Sequence, residues 1–212
     1  MQILEDLKQN LIAGKKQIVC DKCNEAIAAG IKPGTILDAL LDGMSVVGVR
    51  FKSNEIFVPE VLIAARALNA ALVILKPLLV AEGVEPIGKA VIGTVKGDLH
   101  DIGKNLVKMM LVGAGFDVID AGVDVAPDKF AEVAEAEGAD IICLSALLTT
   151  TMESMRDTIE YLKAKNIRDK YIVMIGGAPI TDAFCKEIGA DAYTADAASA
   201  AETAKALLKK KK

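Results

Sequence analysis

The chain has 212 residues, a formal net charge of −4 at pH 7 and 52% hydrophobic residues. This length suffices for one large or two small domains, and the acidic balance argues against a nucleic-acid binder, which needs a basic surface. The most apolar stretch, Ala67 to Leu75, lies between Arg66 and Lys76 and is shorter than the ~20 residues that a membrane span needs. The acidic N-terminus does not resemble an export signal. We therefore expect a cytoplasmic protein that binds no membrane.

The first part of the chain has helical periodicity only. Apolar residues recur at helical spacing in the segments 3–12, 18–27 and 36–47, and a fourth apolar segment runs from Pro59 to about Val80. Each segment is typical of a helix with a buried face. Four helices with short links predict a small helical bundle.

Two features of this helical part allow more than one interpretation. The fourth helix is apolar nearly all round, so it is either the central helix of the bundle or a helix whose leading end also covers a flat apolar ligand. Cys20 and Cys23 form a C-x-x-C pair within the second helix. They are either two ordinary helix residues or a redox or metal site, and the lack of a second ligand pair at similar spacing favours the first reading. The sequence does not assign them a role.

After a linker at residues 81–88, the pattern changes to alternating strands and helices. Short runs rich in valine and isoleucine predict strands that are covered on both faces, as in a parallel sheet. Five such units predict an α/β flavodoxin-like, or Rossmann-like, domain with strand order 2-1-3-4-5. The domain boundary is therefore placed between residues 84 and 85. The predicted strands are 89–95, 116–121, 139–145, 171–175 and 192–193, and the helices are 102–112, 128–137, 152–165, 180–188 and 197–209.

In this strand order, a ligand is expected outside the carboxyl ends of strands 1 and 3, where the winding direction reverses. The loop after strand 1 holds the only histidine, His100, between Asp98 and Asp101. Strand 3 ends at Ser145, and strand 4 ends in a pair of glycines, 176–177, that leaves space beside the sheet. We expect these three loops to lie at one edge of the domain.

Several kinds of site fit these loops poorly. The glycines at 113 and 115 end a helix instead of following a strand, unlike a dinucleotide-binding loop. A phospho-receiver domain would have an aspartate where Ser145 stands, and a Ser145–His100 nucleophile pair lacks an evident oxyanion pocket. What remains is a metal held by one imidazole, with Asp98 accepting a hydrogen bond from the other ring nitrogen. One protein ligand suffices only if the metal arrives inside a macrocycle.

These residues also resemble the motifs of a known family. The segment 98–105, DLHDIGKN, resembles the D-x-H-x-x-G motif of cobalamin-binding domains, in the form found in methyl-transferring proteins. Ser145-x-Leu147 and Gly176-Gly177 are similar to the second and third motifs of the same family. The segment 54–79 resembles the helical cap of cobalamin-dependent methionine synthase and of small corrinoid proteins. The resemblance implies a helical cap domain at 1–84 and a cobalamin-binding domain at 85–212.

The resemblance implies a role for each matching residue. His100 would ligate cobalt from below, Asp98 would hydrogen-bond His100, and Ser145 would continue that relay. Phe57, Val58 and Leu62 would shield the upper face of a cobalamin bound between the two halves. Thr150 and Thr151 could instead simply begin the next helix as capping residues. Further cofactor-binding residues would be Gly97, Asp101, Ile102, Gly103, Leu147, Thr149, Thr150, Gly176, Gly177, Ala178 and Tyr193.

The implied function is that of a corrinoid protein in one-carbon metabolism. Such a protein carries a methyl group as methylcobalamin, by way of Co(I) and Co(II) forms, and is a carrier subunit that is not expected to be a complete enzyme alone. Its partners would be a substrate-specific methyltransferase, a tetrahydrofolate- or thiol-dependent methyltransferase and a reductive activase. Two alternatives are an adenosylcobalamin mutase subunit and a cobalamin-sensing regulator. The first would have a barrel domain instead of a helical cap, and the second would have a DNA-binding domain.

Overall fold

The structure, a computed structural model, describes residues 2–211. These residues form two compact units, which we call the helical unit and the α/β unit. The helical unit contains α1 (Gln2–Ile12), α2 (Lys16–Ala28), α3 (Pro33–Lys52) and α4 (Val58–Glu82). The α/β unit contains β1 (Lys89–Val95), α5 (Ile102–Gly113), β2 (Asp117–Val125), α6 (Pro127–Glu137), β3 (Ile141–Ser145), α7 (Glu153–Ala164), β4 (Ile172–Gly176), α8 (Asp182–Ile188), β5 (Ala192–Tyr193) and α9 (Ala197–Lys211).

The helical unit is held together by one buried face on each helix. Leu7 of α1, Ile36 and Leu40 of α3, and Leu68 and Leu75 of α4 are all fully or almost fully buried. At the start of α4, the Glu60 carboxylate accepts the backbone N–H of Phe57 at 3.0 Å, which satisfies one of the helix's free donors. The predicted helical part is confirmed, and α4 includes Pro77 and continues to Glu82.

By length and composition alone, α4 could cross a membrane. The central helix of a soluble bundle passes the same test, and α4 buries Val61, Ala64, Leu68, Ala71 and Leu75 within the protein. Their spacing follows one helical face. Packing inside the helical unit therefore accounts for this face of α4, whereas Ile63, Val73 and Val80 on other faces are exposed.

The α/β unit is built on one parallel sheet with strand order β2-β1-β3-β4-β5, which confirms the predicted fold. Thr94 of β1 lies opposite Ser145 of β3, and Ser145 lies opposite Gly176 of β4. The carboxyl ends of these three strands are therefore level with one another. The winding direction of the crossover connections reverses between β1 and β3, so the loops that follow these parallel strands meet at the expected binding edge.

Strand β2 is longer than the sequence indicates. The predicted end at residue 121 is wrong, because β2 continues to Val125. Its pairing with β1 slips twice, between Ile92 and Gly93 and between Gly93 and Val95. Each slip inserts an extra residue in β2, and the residues involved include Gly122 and Asp124, which have positive φ values of 94° and 54°. Glycine and aspartate are also the residue types found in turns, so the sequence alone indicates a turn where the structure has a bulged strand.

Candidate functional site

The loop between β1 and α5 forms the centre of the site. It turns sharply after β1, where Gly97 adopts a φ of 84° and the N–H of Asp98 donates to the carbonyl of Val95 at 3.1 Å. The buried hydroxyl of Thr94 donates to the carbonyl of His100 at 2.8 Å. The turn therefore buries Asp98 and leaves the side chain of His100 51% exposed.

The Asp98 carboxylate is fully buried and accepts hydrogen bonds on both oxygens. Oδ1 accepts from the backbone N–H of His100 at 3.1 Å and lies 2.7 Å from its ring Nδ1. Oδ2 accepts from the N–H groups of Leu147 and Leu148 at 2.8 and 3.3 Å and from the hydroxyl of Thr151 at 2.8 Å. The loops after β1 and β3 thus meet on one carboxylate.

These donors decide the protonation state of Asp98. Burial alone would raise the pKa of this carboxyl group. The backbone N–H of Leu147, the N–H and ring of His100 and the Thr151 hydroxyl oppose burial, and the pKa of Asp98 lies well below its ordinary value. Asp98 is therefore a carboxylate, which can only accept hydrogen bonds.

The carboxylate in turn fixes the tautomer of His100. Because Asp98 can only accept, the Nδ1 of a neutral His100 carries the proton, and the lone pair lies on Nε2. No residue in the described part of the chain forms a hydrogen bond with Nε2. A half-exposed imidazole with a free Nε2, oriented by a buried carboxylate, is the arrangement used by metal-binding histidines.

The surface around His100 is apolar and open. Leu99 and Ile102 are 71% and 78% exposed, and Leu147 and Leu148 are each exposed by more than 40%. Large apolar side chains exposed together usually mark a surface that is covered in the functional state. A flat, largely apolar ligand centred on His100 fits these side chains.

The loops after β3 and β4 approach each other closely where β4 ends. Gly177 adopts a φ of +138°, and a Cβ atom there would lie 1.8 Å from the carbonyl oxygen of Ala146. The Ala146 N–H donates to the Gly176 carbonyl at 3.2 Å. Any side chain at 177 would force apart the loops after β3 and β4, so glycine is required for their close approach.

The other predicted cofactor-binding residues lie along the same edge of the α/β unit. Asp101, Ile102 and Gly103 follow His100 and are exposed, as are Thr149 and Thr150 in the 3-10 turn after β3. Ala178 follows the glycine pair, and Tyr193 on β5 is partly buried opposite Ile175. Their contacts with a cofactor stay a prediction.

One expected contact is not present. Ser145 was expected to continue the Asp98–His100 relay, but no side-chain hydrogen bond of Ser145 occurs within residues 2–211. The Thr151 hydroxyl bonds Asp98 instead. Ser145 ends β3, whereas the 3-10 turn brings Thr151 back over the buried carboxylate. Three consecutive threonines follow β3 in the sequence, and nothing in it distinguishes the one that turns inward.

The predicted shielding residues lie in the helical unit, at the start of α4. Phe57 and Leu62 are 63% and 42% exposed, and Val58 is partly buried. Phe57 and Leu62 are therefore not core residues of the bundle. Their position over a cofactor stays a prediction.

The residues fit a metal that brings most of its own ligands. Within the described range there is no group of three or more His, Cys, Asp or Glu side chains that could hold a metal ion. Cys23 is buried in α2 next to Cys20, and burial, then the neighbouring thiol, raises the pKa of Cys23 to about 12, which makes it a poor metal ligand. His100 is the one exposed imidazole, so the donor set matches a metallated macrocycle.

Comparisons with known proteins agree with this assignment. Residues 88–205 and 3–76 each match a family described as a B12 binding domain. A corrinoid protein of Desulfitobacterium hafniense (strain Y51) is 42% identical over 99% of both chains. The dimethylamine corrinoid protein of Methanosarcina barkeri is 43% identical over 98% of both chains. A chain in the crystal structure of the methanol:cobalamin methyltransferase complex of Methanosarcina barkeri superposes with a TM-score of 0.89 at 28% identity, covering 98% of this chain and 80% of that one.

The hydrogen bond from Thr151 to Asp98 can be tested by stability. Thr151→Val removes the hydroxyl donor to a buried charge, so we expect the free energy of unfolding to fall by about 1–3 kcal/mol. Ser145→Ala is the matched control, and it should change this free energy by less than about 0.5 kcal/mol. Thr151→Ser should restore most of the loss. Urea unfolding followed by circular dichroism measures all three, and equal losses for Thr151→Val and Ser145→Ala would contradict the assignment.

The lowered pKa of Asp98 predicts how stability depends on pH. In the unfolded chain Asp98 takes up its proton near its ordinary pKa of about 3.9, whereas the folded protein holds the carboxylate to lower pH. The stabilisation is therefore complete above about pH 5 and is lost as the pH falls below the unfolded pKa. The difference in free energy of unfolding between wild type and Asp98→Asn should shrink as the pH falls from about 5 towards 3. A difference that does not change with pH would mean that Asp98 ionises normally in the folded protein.

Proposed function

We propose that this chain, which belongs to the B12-binding corrinoid proteins, carries a methyl group on cobalamin between two methyltransferases. It binds cobalamin and is the corrinoid component of a methyltransferase system. Bound cobalamin supplies a cobalt atom that accepts a methyl group from one enzyme and gives it up to the next. The observation that carries the proposal is the free Nε2 of His100, oriented by the buried Asp98 carboxylate at 2.7 Å.

In this proposal each part of the edge has its own task. Nε2 of His100 ligates the cobalt, and Asp98 keeps the proton on Nδ1 so that Nε2 can bind. The exposed leucines 147 and 148 and Ile102 contact the apolar face of the ligand. Gly176 and Gly177, with the 3-10 turn at Thr149–Thr151, border the space for the nucleotide tail.

The first partner would be a methyltransferase specific for a small methylated compound. The dimethylamine corrinoid protein is 43% identical to this chain, and the chain in the methanol complex is 28% identical. These figures favour a methylated amine over methanol as the donor. The acceptor enzyme would transfer the methyl group to tetrahydrofolate or a thiol, and a reductive activase would restore cobalt after accidental oxidation, all in the cytoplasm.

Ligation by His100 can be observed directly because it is the only histidine in the chain. Protein reconstituted with cobalamin should hold one cofactor per chain. Its Co(II) electron paramagnetic resonance spectrum should show coupling to one nitrogen, and the splitting should change when histidine alone is labelled with 15N. His100→Ala should lose this coupling, and Lys96→Ala, an exposed neighbour, should keep it. Coupling that does not respond to histidine labelling would refute ligation by His100.

The carrier function predicts a defined stoichiometry. With a methylated-amine:corrinoid methyltransferase and excess methylated amine, reduced holoprotein should release one equivalent of demethylated amine per bound cofactor and then stop. Adding an acceptor methyltransferase and its thiol or folate should make the reaction catalytic. Product is measured by chromatography against protein without cobalamin. Continuous turnover without the acceptor enzyme, or no demethylation with amine- or methanol-specific enzymes, would contradict the proposal.

A further inference from the structure

The two irregularities in β2 lie beside the His100 loop. Strand β2 contains two more residues than the facing part of β1, and Gly122 and Asp124 take up the excess in positive-φ conformations. Bulges are rare in parallel strands and commonly redirect a backbone group next to a functional site. A left-handed conformation is also unfavourable for a non-glycine residue, although aspartate and asparagine tolerate it best.

The bulge directs Asp124 towards the loop instead of along the strand. Its Oδ1 accepts the N–H of Gly97 at 2.7 Å, and its own N–H donates to the carbonyl of Asp98 at 3.0 Å. Asp124 therefore contacts two consecutive residues of the loop, once with its side chain and once with its backbone. Because φ is the rotation about the N–Cα bond, its value of 54° sets the direction of the N–H relative to the carboxylate side chain.

Asp124 completes the support around Asp98. The carboxylate of Asp98 is held from the β3 side by Leu147 and Thr151, while Asp124 holds its backbone from the β2 side. The far end of the segment is fixed by a similar contact, since buried Lys104 of α5 donates to Asp120 of β2 at 2.6 Å. Both acidic residues of this part of β2 thus hold the chain that carries His100.

We infer that Asp124 is a positioning residue that sets the Asp98–His100 hydrogen bond and, through it, the availability of His100 Nε2. This inference rests on the proposed role of His100 and extends it to a residue on β2 whose hydrogen bonds to the loop go to Gly97 and Asp98 and not to the imidazole. Asp124 acts through the Gly97–Asp98 backbone. Its carboxylate matters as a hydrogen-bond acceptor, and its left-handed conformation matters for the direction of its N–H.

Three substitutions separate these two properties. Asp124→Asn keeps both the acceptor and the tolerance of positive φ, so it should behave as wild type. Asp124→Gly keeps the conformation and loses the acceptor, and Asp124→Ala loses the acceptor and disfavours the conformation. Asn166→Ala is the matched control, because Asn166 is a left-handed residue (φ 55°) that follows α7 and makes none of these loop contacts.

The readout is the tautomer of the only imidazole, measured in cobalamin-free protein by 15N nuclear magnetic resonance with labelled histidine. In wild type and Asp124→Asn, Nδ1 should carry the proton. In Asp124→Gly the ratio of the Nε2–H to the Nδ1–H tautomer should rise about fivefold, the factor that corresponds to a hydrogen bond of about 1 kcal/mol. The rise should be larger in Asp124→Ala and absent in Asn166→Ala, even though both substitutions lower thermal stability.

The same variants are then reconstituted with cobalamin, and the fraction of Co(II) coupled to the histidine nitrogen should fall in the same order. An unchanged tautomer ratio in Asp124→Gly, or an equal change in Asp124→Asn, would overturn the inference. The cobalamin-free measurement is independent of the proposed function. If wild-type protein lacks histidine-coupled Co(II), the proposed function fails while the effect of Asp124 on the imidazole is still decided.

Discussion

A buried carboxylate that must be surrounded by donors organises this site. Asp98 has no exposed surface, and an isolated charge in that position would be strongly unfavourable. The donors come from its own loop and from the loop after β3. These loops can meet because β1 and β3 are neighbours with level carboxyl ends in the 2-1-3-4-5 sheet. The strand order is therefore a requirement of the site as much as of the core.

Asp98 and His100 differ in exposure, and this difference matches a structural role for the first and a functional role for the second. The carboxylate is sealed off and held in one state, whereas the imidazole it orients stays half exposed. A histidine that served only the core would be buried with both nitrogens paired. Apolar side chains beside the imidazole, such as Leu99 and Ile102, are also exposed. Binding of a flat cofactor would remove their hydrophobic surface from water.

The sequence predicts the architecture and the central residues but not the local geometry. Alternating valine-rich strands and helices were sufficient for the fold, and the predicted hydrogen bond between Asp98 and His100 is present in the structure. The hydroxyl on Asp98 was assigned to Ser145 instead of Thr151, because the choice depends on how the 3-10 turn folds back. The end of β2 was also wrong, because glycine and aspartate at a bulge give the same pattern as a turn.

The wrongly predicted end of β2 lies where the conformation that the backbone prefers differs from the one that the site requires. A regular β2 would pair evenly with β1 and leave the Gly97 N–H without the Asp124 carboxylate. The bulged strand loses ladder hydrogen bonds and holds Asp124 in a left-handed conformation, both of which are unfavourable locally. They are offset by contacts to the loop that carries Asp98 and His100. Irregularity in an otherwise regular sheet is therefore concentrated where the imidazole has to be aimed.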